Sequence, residues 1–230
     1  MRGRIETILD YAKAKEYFEG DNPAAWKGML KPLLPMPGKV QNKKHHAALP
    51  YGEMGMFMTE LRTRTGISAR ALEFSILTVA RSGEIRGAEW DELDLKAKTW
   101  VIPAERMKAS KEHRVPLSDA TVALLKALPR FKDNNLVFPA PRGGQLSDMS
   151  LTAVLKRMDR KDLTQHGFRS TFREWAGETT LYQREVIEHA LAHQLADKAE
   201  AAYQRGTLWP KRVSLMDDWS SYCYVSAASS

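Results

Sequence analysis

Cysteine is almost missing from this chain of 230 residues: Cys223 stands alone, so an internal disulfide is excluded and no cysteine cluster offers a zinc-finger spacing. No run of about 18 apolar residues is present, and Met1 does not open a signal-peptide pattern. A soluble protein of a reducing cytoplasm is the expectation. Internal repeats are absent, and the only low-complexity stretch is the small polar tail VSAASS. A third zinc ligand is also wanting. His189 and His193 in HALAH have the spacing of a zinc pair on a helix, but Ala190 stands where a zincin has its glutamate, so a metal is not expected. Acidic residues are in deficit, 28 against 35 lysines and arginines, which leaves a net charge of +7. That balance suits a polyanionic partner, although charge alone predicts only non-specific affinity for nucleic acid.

The length allows one full domain and a smaller piece. In residues 4–18, Ile5, Ile8, Leu9 and Ala12 recur at helical spacing, and the cluster Gly20, Asp21, Asn22, Pro23 ends the pattern. Residues 31–50 are rich in Pro and Lys and read as an extended basic linker, with a domain boundary near residue 48. Beyond it Leu72, Ile76 and Val79 mark a helix leading to Arg81. Three strand-like runs follow, LDLKAKTWVIP, EHRVPL and LVFP, with Lys108 in the connection between the first two. Helical spacing returns at Leu151, Val154, Leu155 and Met158, and again at Phe168, Phe172 and Trp175. Asp197 and Glu200 suit the start of a short helix carrying Tyr203. This order predicts a mainly α domain with one small antiparallel sheet, an α+β fold.

Along that order lie Arg81, Glu84, Lys108, His166, Arg169, His193 and Tyr203. Taken singly they are ordinary: HGFR reads as a solvated helix with surface arginines, and a lone tyrosine as a core residue. Together they are the groups that phosphodiester cleavage without a metal requires. Two guanidinium forks, Arg81 and Arg169, can donate paired charge-assisted hydrogen bonds to phosphate oxygens. Glu84, three residues after Arg81, is placed to orient a guanidinium. Tyr203 is the candidate nucleophile; with a free pKa near 10 it needs the cationic field and a proton acceptor, for which His166 is the candidate. His193 would hydrogen-bond the phosphate, and Lys108 would protonate the leaving sugar hydroxyl, with Lys111 as its rival. On a helix His166, Arg169 and Arg173 share one side, and Phe168, Phe172 and Trp175 another. Tyr222 and Tyr224 are rival phenols, disfavoured because no histidine lies about ten residues before them.

The segments LTVARSGEIRGAEW, ERMKASKEHRVPLS, HGFRSTFREWAG and LAHQLADKAEAAYQR resemble the catalytic boxes of tyrosine recombinases, most closely phage integrases of satellite-phage and genomic-island type. The resemblance runs nearly end to end after residue 30. It implies the catalytic-domain fold of DNA breaking-rejoining enzymes. It also implies site-specific integration or excision through a 3′-phosphotyrosine intermediate and a Holliday junction, with no cofactor and no metal. Its partners would be double-stranded DNA at attachment sites, further copies of the chain in a tetramer, and accessory DNA-bending and directionality proteins. The enzyme would then sit on the bacterial nucleoid. In this family a basic linker joins a helical core-binding domain to the catalytic domain. Residues 1–30 thus read as the remnant of a core-binding domain, 31–50 as the linker and 51–230 as the catalytic domain, so that the chain looks like a C-terminal fragment. Lys39, Lys43, Lys44, Lys111 and Arg173 are candidate DNA contacts. A type IB topoisomerase-like relaxase and a catalytically silent DNA-binding module are the competing readings.

Overall fold

The computed structural model describes residues 1–35, 47–107, 109–193 and 207–225, and the chain divides into two units, Met1–His45 and His46–Ser230. In the first unit α1 spans Arg2–Ala14. It stops four residues short of the apolar pattern because Glu16 turns left-handed, with φ 58°. Asn22 then ties the returning chain to the helix, its amide donating to the Glu6 carbonyl (2.9 Å) and to Asp10 Oδ1 (2.7 Å). No residue of α1 is buried, and Ile5, Ile8 and Tyr11 are exposed.

The second unit is built around a helix sunk on every side. After α2 (Met54–Thr63), α3 (Ile67–Thr78) buries every residue from Ala71 to Thr78. The stripe of Leu72 and Ile76 is therefore only one face of a core helix. Within it Ser75 and Thr78 donate to the carbonyls of Leu72 and Phe74, and Glu73 forms an ion pair with the partly exposed Arg70 at 2.5 Å. Phe74 packs against Trp100 and Phe138, with ring centroids 5.2 and 5.3 Å away. At Val79 the chain turns left-handed (φ 49°), which costs a β-branched residue about 1–2 kcal/mol. The short helix α4 (Ser82–Arg86) begins three residues later.

The sheet is a three-stranded antiparallel meander of β1 (Leu93–Asp94), β2 (Thr99–Ile102) and β3 (His113–Pro116), with Trp100 opposite Leu93 on one side and Val115 on the other. Two strand expectations change. LDLKAKTWVIP is a hairpin, not one strand, because Asp94 Oδ1 accepts from the backbone N–H groups of Lys96 and Ala97 and folds the run back on itself. LVFP is not a strand of this sheet. It makes one bridge, Leu136 to Glu89, and another at Pro139, whose ring has no N–H to extend the ladder.

The remaining helices are α5 (Asp119–Lys126), capped by Ser118, α6 (Ser150–Arg157), α7 (Gly167–Thr179), α8 (Arg184–Ala190) and α9 (Trp209–Tyr224). α9 packs on α2 and α8, and α6 on α3. Trp219 of α9 joins Phe172 and Trp175 of α7 in one ring cluster, at 5.4 and 5.0 Å. The first residue of α7 must be glycine: a Cβ on Gly167 would lie 2.0 Å from the Ala47 carbonyl oxygen. That close approach lets Thr171 donate to Leu49 O at 2.6 Å and seats α7 against the entry segment. Among the described residues no helix is long and apolar enough to cross a membrane.

Candidate active site

The site grows from the way α8 ends. Helix termini leave carbonyls without intrahelical partners. Here the chain closes in a Schellman turn: His193 N–H donates to Glu188 O (3.0 Å), Ala192 N–H donates to His189 O (3.1 Å), and Ala192 takes the left-handed conformation at φ 50°. Two successive carbonyls beyond that pattern are each taken by a guanidinium from a different element: Leu191 O receives Arg169 Nη2 of α7 (2.6 Å), and Ala192 O receives Arg81 Nη2 (3.1 Å). A helix C-terminus favours cations, so the end of α8 suits the two arginines electrostatically as well.

Arg81 sits where α3 passes into α4. Glu84, buried, accepts from Arg81 N–H (2.7 Å) and from its Nη1 (2.8 Å), so one carboxylate fixes both the backbone and the guanidinium. Arg169 is different. Only 4% exposed, it is held chiefly by carbonyls: Nη1 donates to Val79 O, Nη2 to Leu191 O, and Nη2 also lies 3.2 Å from His193 Nε2. Among the described residues its Nε has no partner. Burial first, and then the neighbouring Arg81 charge, pull its pKa down to about 10. The helical-face expectation therefore changes: Arg169 belongs with Phe168, Phe172 and Trp175 in the buried part of α7, whereas His166, at its N-terminal cap, is exposed.

His193 Nδ1 lies 2.7 Å from Glu188 Oε2, and with Nε2 beside an arginine N–H the network fits the tautomer protonated at Nδ1. Glu188 also receives Arg173, through Nε at 2.8 Å and Nη2 at 2.7 Å. Burial pushes the Glu188 carboxyl up, but the His193 hydrogen bond and the Arg173 charge outweigh it and hold the group below the usual carboxylate range. Arg173 thus spends part of its fork inside the protein.

The structure brings together Arg81, Glu84, Arg169 and His193 of the residues picked out from sequence. Lys111 is exposed on the β2–β3 connection. Lys108, Tyr203, Lys39, Lys43 and Lys44, and the helix start at Asp197 and Glu200, lie outside the described residues. The rival phenols Tyr222 and Tyr224 are engaged in α9 packing, donating to Tyr51 O and to Glu73 Oε1, and burial pushes both upward, away from nucleophilic character. His189 is the C2 residue of the turn while His193 lies beyond the helix, so the two do not share a helical face.

Three participants escaped the sequence reading. Glu188 precedes His193 by five residues, the C3 to C″ spacing of a Schellman turn, which was the available signal. Arg212 shares the α9 face of Leu215 and Trp219; it is buried, donates through Nη2 to Arg114 O, and burial followed by the Arg114 charge lowers its pKa to about 10. His113, half-buried, stands among Arg212, Arg81 and Arg169. Burial and those three charges drive its pKa down to about 3, so it is neutral.

Comparison with known proteins comes after this geometry. The profile of the phage integrase family matches residues 52–206. The integrase of Enterobacteria phage P4 is 30% identical over 243 residues, covering 96% of this chain and 54% of that protein. Prophage integrase IntA of Escherichia coli (strain K12) is 32% identical over 194 residues, covering 82% and 46%. The chain spans about half the length of the curated relatives it matches. Among solved structures, a lambda integrase dimer bound to a COC' core site superposes with a TM-score of 0.57 at 16% identity, over 90% of this chain and 71% of that one. The integrase from mycobacterium phage Brujita gives 0.57 at 17%, over 94% and 69%. These two likenesses establish the shared fold.

Proposed function

Because the chain belongs to the phage integrase family, we propose that it carries the catalytic half of a site-specific DNA recombinase that acts through a 3′-phosphotyrosine intermediate. The observation that carries this reading is the single turn, Leu191 to Ala192, that gathers two guanidiniums beside His193. Arg81 and Arg169 would take the non-bridging oxygens of the scissile phosphate, answering the charge that builds there. Their hydrogen bonds to backbone carbonyls hold both guanidiniums at the turn before the phosphate arrives. His193, oriented by Glu188, would donate to the same phosphate from Nε2 once that nitrogen carries a proton and the Arg169 N–H it now accepts is released.

Tyr203 oxygen would attack phosphorus while its proton passes to His166. The bond from phosphorus to the 5′ oxygen breaks, its electron pair stays on that oxygen, and Lys108 supplies the proton. Attack by the 5′-hydroxyl of a partner strand reverses the chemistry and restores the phosphodiester, so bond energy is conserved in the covalent intermediate. Lys39, Lys43, Lys44, Lys111 and the free edge of Arg173 would contact flanking phosphates. Residues 1–30 would belong to the core-binding domain and 31–50 would be the linker. The working assembly would be a tetramer on attachment-site DNA at the nucleoid, assisted by DNA-bending and directionality proteins.

The test is incubation with a nicked suicide duplex carrying the host insertion site, followed by a denaturing gel. A covalent protein–DNA band that disappears in Tyr203→Phe, with DNA affinity nearly unchanged, is expected. Loss of the band in Tyr222→Phe instead would reassign the nucleophile. No band at all would leave a DNA-binding module without chemistry, and relaxation of one supercoiled duplex without strand exchange would favour a topoisomerase-like enzyme.

A further inference from the structure

Gln165 stands one residue before His166 and is only 7% exposed. A buried amide needs a partner, and this one finds it 85 residues away: Nε2 donates to Ala80 O at 3.0 Å. Only the NH2 end of the group can donate to a carbonyl, so the contact also fixes which way the amide points. The acceptor belongs to the peptide that leads into Arg81. The N–H of that same peptide donates to Glu84 Oε2 at 2.7 Å, so the Ala80–Arg81 peptide is held at both of its polar ends. One residue earlier Val79 turns left-handed, and its carbonyl receives Arg169 Nη1. Two successive carbonyls of the α3–α4 junction are thus taken by side chains four residues apart at the start of α7.

We propose that Gln165 is a positioning residue that sets Arg81 against the α7 half of the phosphate clamp. This inference rests on the recombinase reading above and deepens it. A peptide gripped by Glu84 alone can still rotate about that bond. With its carbonyl held as well, the direction in which Arg81 leaves the backbone is set. Arg169 cannot supply this second grip, because it holds the carbonyl one residue earlier. The tethered backbone runs straight on into His166, whose carbonyl accepts from Arg169 N–H at 3.1 Å, so one buried amide ties the candidate proton acceptor and both guanidiniums into a single frame. The amide is also neutral. A carboxylate in its place would compete with the phosphate for the arginines, and an ammonium would repel them.

The experiment is single-turnover cleavage of the suicide duplex by the 230-residue chain at saturating DNA, with the melting temperature of each variant measured alongside. Gln165→Met keeps the length of the side chain but removes the donor. It should slow cleavage by roughly tenfold to 10²-fold, the scale of losing accurate placement near a reacting centre, with DNA affinity within about twofold. Gln165→Asn, which carries the amide on an arm one methylene too short, should behave alike. Gln165→His offers an N–H at the reach of the glutamine amide and should restore most of the rate. In an Arg81→Ala background, Gln165→Met should add little further loss, because residues that act through one another are not additive. A duplex whose scissile phosphate bears a methyl group in place of one non-bridging oxygen makes less demand on the clamp, so the Gln165→Met defect should shrink there.

A wild-type rate for Gln165→Met, an equal defect on both duplexes, an additive effect with Arg81→Ala, or failure of Gln165→His to rescue would overturn the proposal. If Gln165→Met does not fold, Gln165→Asn takes its place in each comparison. Absence of any wild-type adduct would instead sink the recombinase reading, which keeps the two failures distinct.

Discussion

Burying a guanidinium is costly unless its donors are matched, and at Arg169 carbonyls of Val79 and Leu191 do the matching, with no carboxylate in direct contact among the described residues. Removing it should therefore damage both rate and fold. Arg169→Ala is expected to lower the cleavage rate by roughly 10² or more. Arg169→Lys should recover little because it lacks the planar fork; single-turnover rates check both. A near wild-type rate for Arg169→Ala would remove the clamp from the mechanism. His113 adds a pH effect on stability. Its folded pKa of about 3 lies below the value near 6.5 expected for an unfolded histidine. Between those values the unfolded chain binds the extra proton, so stability is fully present above about pH 6.5 and falls as the pH drops toward 3. Denaturant titrations from pH 7 to pH 4 should show that fall, and His113→Gln should flatten it. Residue types were readable from the order of the motifs, whereas their surroundings were not. Nothing in HGFR distinguishes a surface arginine from one held by two distant carbonyls, since Val79 lies 90 residues away.

Elements were legible where their period was long and their neighbours few. α6 and α7 follow the spacing of Leu151, Val154 and Leu155 and of Phe168, Phe172 and Trp175. α3 was recognised as a helix from one stripe, but its burial on all sides depends on what α2, α6 and α9 bring to it. Strand runs were less secure because one aspartate side chain turned LDLKAKTWVIP into a hairpin and one proline stopped LVFP. Gly167 gives the element-scale prediction. A methyl group there must displace the Ala47 backbone, so Gly167→Ala should destabilise the unit by about 1–3 kcal/mol, the usual range for overpacking. Chemical denaturation should register it, and an unchanged midpoint would mean that the entry segment yields freely. Gly177, with open space around its Cβ position on the same helix, is the control, where alanine should be neutral or mildly stabilising.

The whole chain carries a net charge of +7, and only its second unit contains the described site. Binding by this chain should come mainly from phosphate contacts, falling with salt at a slope of roughly −0.9 per phosphate neutralised, with little preference between a specific and a scrambled duplex. A salt titration on matched duplexes measures this; strong preference at physiological salt would place recognition within this chain. Cleavage should also survive chelators, since arginines, a lysine and histidines supply the positive charge that a metal would bring. The family was legible at this scale because four short boxes keep their order across the chain. The carbonyl turn that joins them was not, because it exists only once α8 has ended. Around that turn stand Arg81, Arg169 and Arg212 together with a histidine kept neutral by burial and by their charges. An anion that settles there relieves repulsion that the fold otherwise bears, so it should stabilise the native state in proportion to its occupancy. Heat resistance then becomes a reporter of the clamp, and a rise in melting temperature with inorganic sulfate, lost in Arg169→Ala, would register phosphate recognition before any attachment site is known.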